Sequence, residues 1–197
     1  MSGHTDLFGL EGPMLWFVSL AVAGAVAGGP APASTSPVKV VAPSPSAIAA
    51  SLLAAETRRV RAATPRVGQL IDDGVRRSRT FAQLIADVHA TDVIVYVEAS
   101  FGLPPDVSGR ILLAGVAGDQ RYLRVQVRAT LARDQLIATI AHELRHALEV
   151  AGDRTVVDEK GFVALYRRIG DAARACGGFD TEAARVTGRR VRDELLG

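Results

Sequence analysis

The sequence predicts an α+β fold in which a three-stranded, mostly antiparallel sheet is packed on one central helix, with further helices flanking it. Two observations support this prediction. Residues 92–129 hold short β-branched or alternating segments separated by glycine- and proline-containing loops, which is typical of strands. The residues before and after them show helical spacing of apolar side chains, so helices and strands occupy separate blocks of the chain.

The predicted elements follow one another in a simple order. Two helices come first, one at 66–77 and one that runs from a capping box at Thr80–Gln83 to about Ala90. Three strands follow, and the third alternates apolar with polar residues as a half-exposed antiparallel strand does. The strands lie at 92–98, 111–116 and 121–129. Three helices complete the domain, at about 133–151, 158–170 and 180–196.

The first fifty residues differ from this domain in composition. Residues 14–29 are uncharged and mostly apolar, and at this length the run suits a signal peptide better than a membrane span of ~20 residues. We expect 1–29 to be a signal peptide or a membrane anchor, although no basic residue precedes the run. Residues 30–50 contain five of the nine prolines and predict a linker, which leaves 51–197 as the folded domain. The protein is therefore expected to be exported, to the periplasm or beyond the cell, with an N-terminal membrane tether as the alternative.

The charge balance argues against a dedicated nucleic-acid-binding protein. The chain has 23 basic and 21 acidic residues, a net charge of only +2. The densest basic clusters, at 58–61 and 76–79, are interpreted as solvated helix faces, and a lipid-binding surface is the weaker alternative. A single cysteine, Cys176, excludes an internal disulfide.

The segment that points to chemistry is His142-Glu143-Leu144-Arg145-His146, which reads H-E-x-x-H in a predicted helix without glycine or proline. Residues four apart lie on one helical face, so both imidazoles can reach a single zinc ion at about 2.0–2.1 Å. Glu143 leans toward the same site, where it can take a proton from a water that the metal activates. Two solvated histidines are the alternative, but two of only four histidines share this spacing. The motif therefore predicts a zinc-dependent hydrolase.

A catalytic zinc site usually has three protein ligands and one open position, so a third ligand is expected. It is not the third histidine of the extended motif, because Gly152 stands at that position. Glu149 follows His146 by three residues on the same helix, and we expect it to lie outside the ligand set. The acids that begin the last helix remain as candidates. About 200° of helical rotation separates them, so only one should face the metal; they are Asp180 and Glu182.

This arrangement resembles the gluzincin class of zinc metallopeptidases, in which a carboxylate on a later helix completes the two-histidine site. The segment Asp180-Thr-Glu-Ala-Ala184 is similar to the E-x-E-A-D segment of the HtpX-like branch, where the first acid is the ligand. The resemblance implies a small zincin domain over about residues 92–196, with Asp180 as zinc ligand and Glu182 beside it. Asp180 replaces the family's glutamate, and Ala184 replaces its final aspartate. The whole chain also resembles small bacterial exported proteins with the same H-E-L-x-H-A-x-E helix.

Together, motif and resemblance predict a zinc metallopeptidase that acts on a peptide or protein substrate. His142 and His146 bind Zn²⁺ with Asp180 or Glu182, and Glu143 serves as general base. An exported zinc-binding module without hydrolytic activity is the alternative, against which Glu143 argues because a structural zinc site needs no base.

The sequence offers candidates for two further roles, polarising the substrate carbonyl and pairing with the peptide. Arg145 and Tyr166 are candidates to polarise the substrate carbonyl. In the zincin arrangement an edge strand pairs with an extended peptide, and either the strand at 121–129 or the one that ends at Glu98 could do so. A purely structural sheet is equally compatible with the sequence.

Overall fold

The computed structural model describes residues 58–171 and 180–197, all within the compact unit Pro43–Gly197. One mixed sheet contains the described strands, which are β1 (Val60–Ala62), β2 (Val93–Ser100), β3 (Gly109–Ala117) and β4 (Gln120–Arg128). Their order across the sheet is β1-β2-β4-β3. β2 runs parallel to both β1 and β4, whereas β3 is antiparallel to β4. The two edges of the sheet are therefore the short β1 and the longer β3.

The α+β class agrees with the prediction, but the three-stranded, mostly antiparallel sheet is wrong in two respects. β1 was missed because its three residues, Val-Arg-Ala, carry no readable strand pattern, and it is held by backbone pairing with Val95–Val97 of β2. β2 pairs with β4 rather than with β3, its neighbour in sequence, because the connection 101–108 carries the chain to the far edge. The strands proposed as the peptide-binding edge, β2 and β4, are therefore internal, and β3 is the edge strand instead.

Five helices accompany this sheet in the described ranges. They are α1 (Pro65–Arg77), α2 (Arg79–His89), α3 (Arg133–Gly152), α4 (Glu159–Ile169) and α5 (Glu182–Leu196). Ser78, not the predicted Thr80, caps α2: its hydroxyl oxygen accepts from the backbone N–H of Phe81. The Thr80 hydroxyl instead donates to Glu194 of α5.

The hydrophobic core lies between the sheet and the apolar face of α3. Alternate residues of β2 and β4 are fully buried, as expected for the covered face of a sheet; they are Val93, Val95, Val97, Leu123, Val125 and Val127. Side chains of α3 belong to the same cluster, among them Leu136, Ile140 and Leu144. Burial of this stripe against the sheet holds α3 in place and leaves another of its faces to α5.

α5 packs closely against α3 and is anchored at its far end. Gly188 lies against the motif: a Cβ there would be 3.3 Å from His142 Cβ and 3.4 Å from the carbonyl oxygen of Ala138. Near the C-terminus, Glu194 accepts hydrogen bonds from the hydroxyl groups of Ser78 and Thr80. The start of α5 is consequently held near the two histidines of α3.

Several sequence-based expectations fall outside the described residues. The predicted signal peptide or anchor at 1–29, the linker at 30–50 and Cys176 belong to this group. Within the described ranges, no helix combines the length and the apolar character needed to cross a membrane.

Candidate metal centre

The motif helix places its two histidines side by side. α3 is helical throughout, so His142 and His146 are about one turn apart, with 4.9 Å between their ring centroids. The His146 side chain is buried at 3 % exposure, whereas 25 % of the His142 side chain is exposed. The pair thus has one inner member and one member that solvent reaches.

Asp180 brings a carboxylate to the same pair of rings. Its Oδ1 atom lies 3.4 Å from Nε2 of His142 and 3.8 Å from Nε2 of His146. Two donor atoms bound to one zinc ion at about 2.0–2.1 Å in a tetrahedron are about 3.3 Å apart. These two separations exceed that value by about half an ångström or less, and the ligand atoms of all three residues lie within 4.8 Å of one another. His142, His146 and Asp180 form a group that could hold a metal ion.

The Asp180 carboxylate is oriented by contacts to both of its oxygens. The backbone N–H of Thr181 donates to Oδ1 at 2.7 Å, and Nη1 of Arg185 donates to Oδ2 at 3.3 Å. Arg185 also forms an ion pair with Asp171 at 3.2 Å. These contacts turn Oδ1 toward the imidazoles. Arg185 was not predicted from the sequence, because nothing in a linear pattern marks an arginine that acts on a residue five positions earlier.

Glu182, the alternative third ligand, is not brought into this group. It is the first residue of α5, and 65 % of its side chain is exposed. Its carboxylate pairs with Arg185 at 2.8 Å and with Arg189 at 3.1 Å. The predicted rotation of about 200° does not apply, because Asp180 lies before the N-cap Thr181 and not on the helix. The residue before the helix is the one that faces the histidines.

Glu149 lies behind the ligand group, bonded to a ligand rather than to the ion position. Its Oε2 atom is 2.8 Å from Nδ1 of His146, and its Oε1 atom accepts the Thr181 hydroxyl hydrogen at 2.6 Å. Burial raises the pKa of Glu149, but the hydrogen bonds from His146 and Thr181 outweigh it and the net shift is downward. Glu149 is thus a buried carboxylate outside the ligand set, as the sequence predicted. Thr181 was missed, although a threonine just before a helix is a readable N-cap signal.

The Glu143 side chain lies against Gly109, the first residue of the edge strand β3. A Cβ on Gly109 would be 2.6 Å from Glu143 Oε1 and 2.6 Å from Thr139 Cγ2, so the β3 backbone covers the carboxyl group directly. Burial raises the pKa of Glu143 to about 7 against the opposing effect of His146, and Asp180 adds to the rise. A carboxyl with this pKa exchanges a proton near neutral pH, as a general base must.

The electrostatics of the histidines suit metal binding. Burial and the neighbouring His146 lower the pKa of His142 below its ordinary value, and this outweighs the opposing effect of Asp180. His142 is consequently neutral at pH 7, and a neutral imidazole is the form that donates a lone pair to a metal.

Neither candidate for polarising the carbonyl is aimed at the ligand group. The Tyr166 hydroxyl donates to the backbone carbonyl of His146 at 3.2 Å, and its ring packs edge-on against the His146 ring at 5.3 Å. Burial, followed by the charges of Glu149 and Glu143, raises the pKa of Tyr166. Arg145 lies on the Glu149 side, with Nε 3.9 Å from Oε1. Tyr166 therefore contacts His146, and Arg145 contacts Glu149; neither side chain is placed to contact a substrate carbonyl at the ligand group.

Comparisons with protein-family models, with curated proteins and with solved structures found no match for this chain. What the centre can do therefore follows from its donor atoms, its burial and its charge.

Proposed function

We propose that the chain is a zinc-dependent metallopeptidase. The observation that carries the proposal is the convergence of three donor atoms beside a carboxyl group that is not one of them. Nε2 of His142, Nε2 of His146 and Oδ1 of Asp180 face one another, and Glu143 is buried next to the first ligand with a pKa raised to about 7. Two histidines and one carboxylate leave a fourth position open, which is the donor set of hydrolytic zinc sites.

The donor atoms favour zinc over hard cations. Imidazole nitrogens suit zinc and other transition metals, whereas magnesium and calcium take oxygen ligands. A bound zinc ion lowers the pKa of a coordinated water toward ~7 and polarises a carbonyl oxygen. The chain's own part is to hold the His142 imidazole neutral and to present Asp180 through one oxygen, because Arg185 occupies the other.

Glu143 is the residue proposed to move the proton. Its carboxylate accepts a proton from the attacking water and then delivers it to the leaving amine of the peptide. Both transfers require a group that holds a proton transiently near neutral pH, and burial against Gly109 gives Glu143 that property. A structural metal site needs no such group.

The edge strand β3 supplies a surface for an extended peptide. β3 has a neighbour only on its β4 side in the described sheet, and it begins at Gly109, in contact with Glu143. A peptide that adds to a sheet edge is held by main-chain hydrogen bonds. Its pairing with β3 would bring a backbone carbonyl toward Glu143 and the ligand group. The proposed substrate is accordingly a peptide or an unfolded protein segment, met after export of the chain.

The first experiment measures the metal content of the purified full-length protein. Wild type should carry about one zinc per chain, with little iron, cobalt or nickel. His146→Ala should lose it, whereas His89→Ala, which changes an exposed histidine outside the group, should keep it. Wild-type protein that remains free of metal when zinc is supplied at neutral pH would contradict the proposal.

The second experiment separates catalysis from metal binding. Glu143→Gln should keep its zinc and lose peptide hydrolysis by at least ~100-fold, the usual contribution of a general base. Glu159→Gln, an exposed acid at the start of α4, serves as the matched control and should behave as wild type. Zinc binding without hydrolysis of any peptide by wild type would instead favour the non-hydrolytic binding module.

A further inference from the structure

We infer that Glu149 is a positioning residue that joins the two halves of the centre, the histidines on α3 and Asp180 before α5. This inference rests on the proposed metal site. One oxygen of the carboxylate accepts from Nδ1 of His146 at 2.8 Å, and the other accepts the Thr181 hydroxyl hydrogen at 2.6 Å. Thr181 directly follows Asp180 in the chain. The Glu149 side chain therefore holds the segment with the third ligand, Asp180, at a fixed distance from His146.

The bond to Glu149 also selects the form of His146. A carboxylate accepts hydrogen bonds and cannot donate them, so the ring proton lies on Nδ1. The lone pair is then on Nε2, the atom 3.8 Å from Asp180 Oδ1. Carboxylates that bind the outer nitrogen of a ligand histidine fix its orientation and raise its basicity. Glu149 would therefore prepare His146 for the metal before the metal arrives.

Thr181 is committed to this role by its second contact. Its hydroxyl oxygen accepts from the backbone N–H of Ala184 at 3.1 Å, so it caps α5. The hydroxyl hydrogen remains for Glu149. Movement of the α5 terminus would break both bonds, and the cap geometry thus fixes the distance between α5 and Glu149.

Burial strengthens the bridge, meaning the two hydrogen bonds by which Glu149 links His146 to Thr181. The side chains of His146 and Glu149 are 3 % and 7 % exposed, and Thr181 is 4 % exposed. Little water competes for these hydrogen bonds, and charge-assisted bonds are stronger in such surroundings. An ordinary helical His–Glu pair three residues apart would lie on the surface and contact no second element. Here Glu149 connects two elements, with the ring of Tyr166 packed against His146.

The test is the zinc affinity of the full-length protein, measured by competition with a chelator of known affinity. Glu149→Ala should weaken zinc binding by ~10–100-fold, as loss of such outer partners does. Glu149→Gln should fall between Glu149→Ala and wild type, because its amide oxygen still accepts one hydrogen bond without the charge. Thr181→Ala should also weaken binding, and Thr181→Ser, which retains the hydroxyl, should restore wild-type affinity.

Thr64→Ala provides the matched control for the lost helix cap. Thr64 caps α1 by accepting from the backbone N–H of Val67, and it does not contact Glu149. The Thr64→Ala variant should bind zinc with wild-type affinity although it has lost the cap of α1. Equal weakening in Thr64→Ala and Thr181→Ala would attribute the effect to stability and overturn the inference.

The remaining outcomes separate this inference from the proposed function. Wild-type affinity in Glu149→Gln and Thr181→Ala would overturn the bridge and leave the metal site standing. These two variants decide the matter if Glu149→Ala fails to fold. Absence of zinc binding in wild type would overturn the site and the bridge together.

Discussion

Replacement of Gly109 by alanine tests whether the edge strand β3 positions Glu143, the proposed general base. The added Cβ would lie 2.6 Å from Glu143 Oε1 and 2.6 Å from Thr139 Cγ2. Ordinary contacts of a Cβ begin at about 3.4 Å, so the neighbouring groups must move by nearly an ångström. The metal ligands are not touched by the new methyl group. The variant should therefore bind zinc as wild type does while its base is displaced.

The magnitude follows from which atoms give way. Rotation of Glu143 relieves one of the two close contacts, but Thr139 Cγ2 is fixed to its Cβ and the Thr139 hydroxyl donates to the carbonyl of Gln135, so the start of β3 must also shift. The loss in free energy of unfolding should fall in the usual range for an overpacked site, about 1–3 kcal/mol. A catalytic loss should accompany it, because a misplacement of about 1 Å in the reacting geometry costs on the order of 100-fold.

Gly74→Ala is the matched control. A Cβ at Gly74 would be 2.9 Å from Ile137 Cγ2 and 3.0 Å from the ring of Phe81, both in the core. These packed atoms cannot rotate away, so the loss of unfolding free energy should be about 1–3 kcal/mol. No atom of the centre is contacted, and turnover below the unfolding transition should remain unchanged.

The assay combines kcat/KM on the peptide that wild type cleaves fastest with zinc content and urea denaturation. The expected pattern is a catalytic loss on the order of 100-fold in Gly109→Ala and unchanged kcat/KM in Gly74→Ala, with stability losses of similar size in both variants. Wild-type kcat/KM in Gly109→Ala would refute the reasoning, because it would show that contact with β3 does not position Glu143. A catalytic loss in Gly74→Ala of the same size would refute it as well.

Two other predictions address the third ligand and the anchor of α5. Asp180→Ala should weaken zinc binding more than about 100-fold, which exceeds the effect of losing a residue that only hydrogen-bonds to a ligand. Glu182→Ala should stay within about twofold of wild type in chelator competition. The opposite order would indicate that Glu182 is the third ligand. Burial raises the pKa of Glu194, but hydrogen bonds from Ser78 and Thr80 lower it overall to about 2, below the 4.5 of a free glutamate. The resulting stabilisation is present above pH ~4.5 and is lost as the pH falls toward 2. At pH 7, Glu194→Gln should therefore lower the free energy of unfolding by about 1–2 kcal/mol, and this free energy should fall less steeply with acid than in wild type. Parallel pH dependences of the two proteins would contradict this.

Local sequence patterns predicted most helices and strands of this fold but not the arrangement of the sheet. Helical spacing is local, and it placed the helices to within a few residues, although the cap of α2 is Ser78 and not the predicted Thr80. Strand partners are set by contacts distant in sequence, and neighbours in the chain pair only about two-thirds of the time. One signal was readable: the run Val93–Val97 is almost continuously apolar, which is typical of a central strand with parallel neighbours. The short β1 has no comparable signal, because its pairing depends on backbone atoms.

The same division holds for the candidate centre. The spacing of His142, Glu143 and His146 is local, and α3 places the two imidazoles on one face as the helical period requires. The contacts around them are tertiary. Gly109 covers Glu143 from the start of β3, which the sequence predicted as a strand at 111–116 but not as a sheet edge, and Arg185 orients Asp180 from the first turn of α5. These residues gain their roles from the packing of β3 and α5 on α3, which no local pattern encodes.

The position of Asp180 explains how a side chain as short as that of aspartate reaches the two histidines. Asp180 precedes the N-cap of α5, so its backbone and not a long side chain brings the carboxylate toward the histidines. The backbone carbonyl of Asp180 accepts from the N–H of Asp171 at 2.9 Å, and Arg185 binds both carboxylates. The backbone thus places the Asp180 carboxylate close to the histidines, and Arg185 holds its Oδ2 atom. A glutamate with the same backbone would extend past the position that Oδ1 occupies, so the shorter residue fits the placement that this fold imposes.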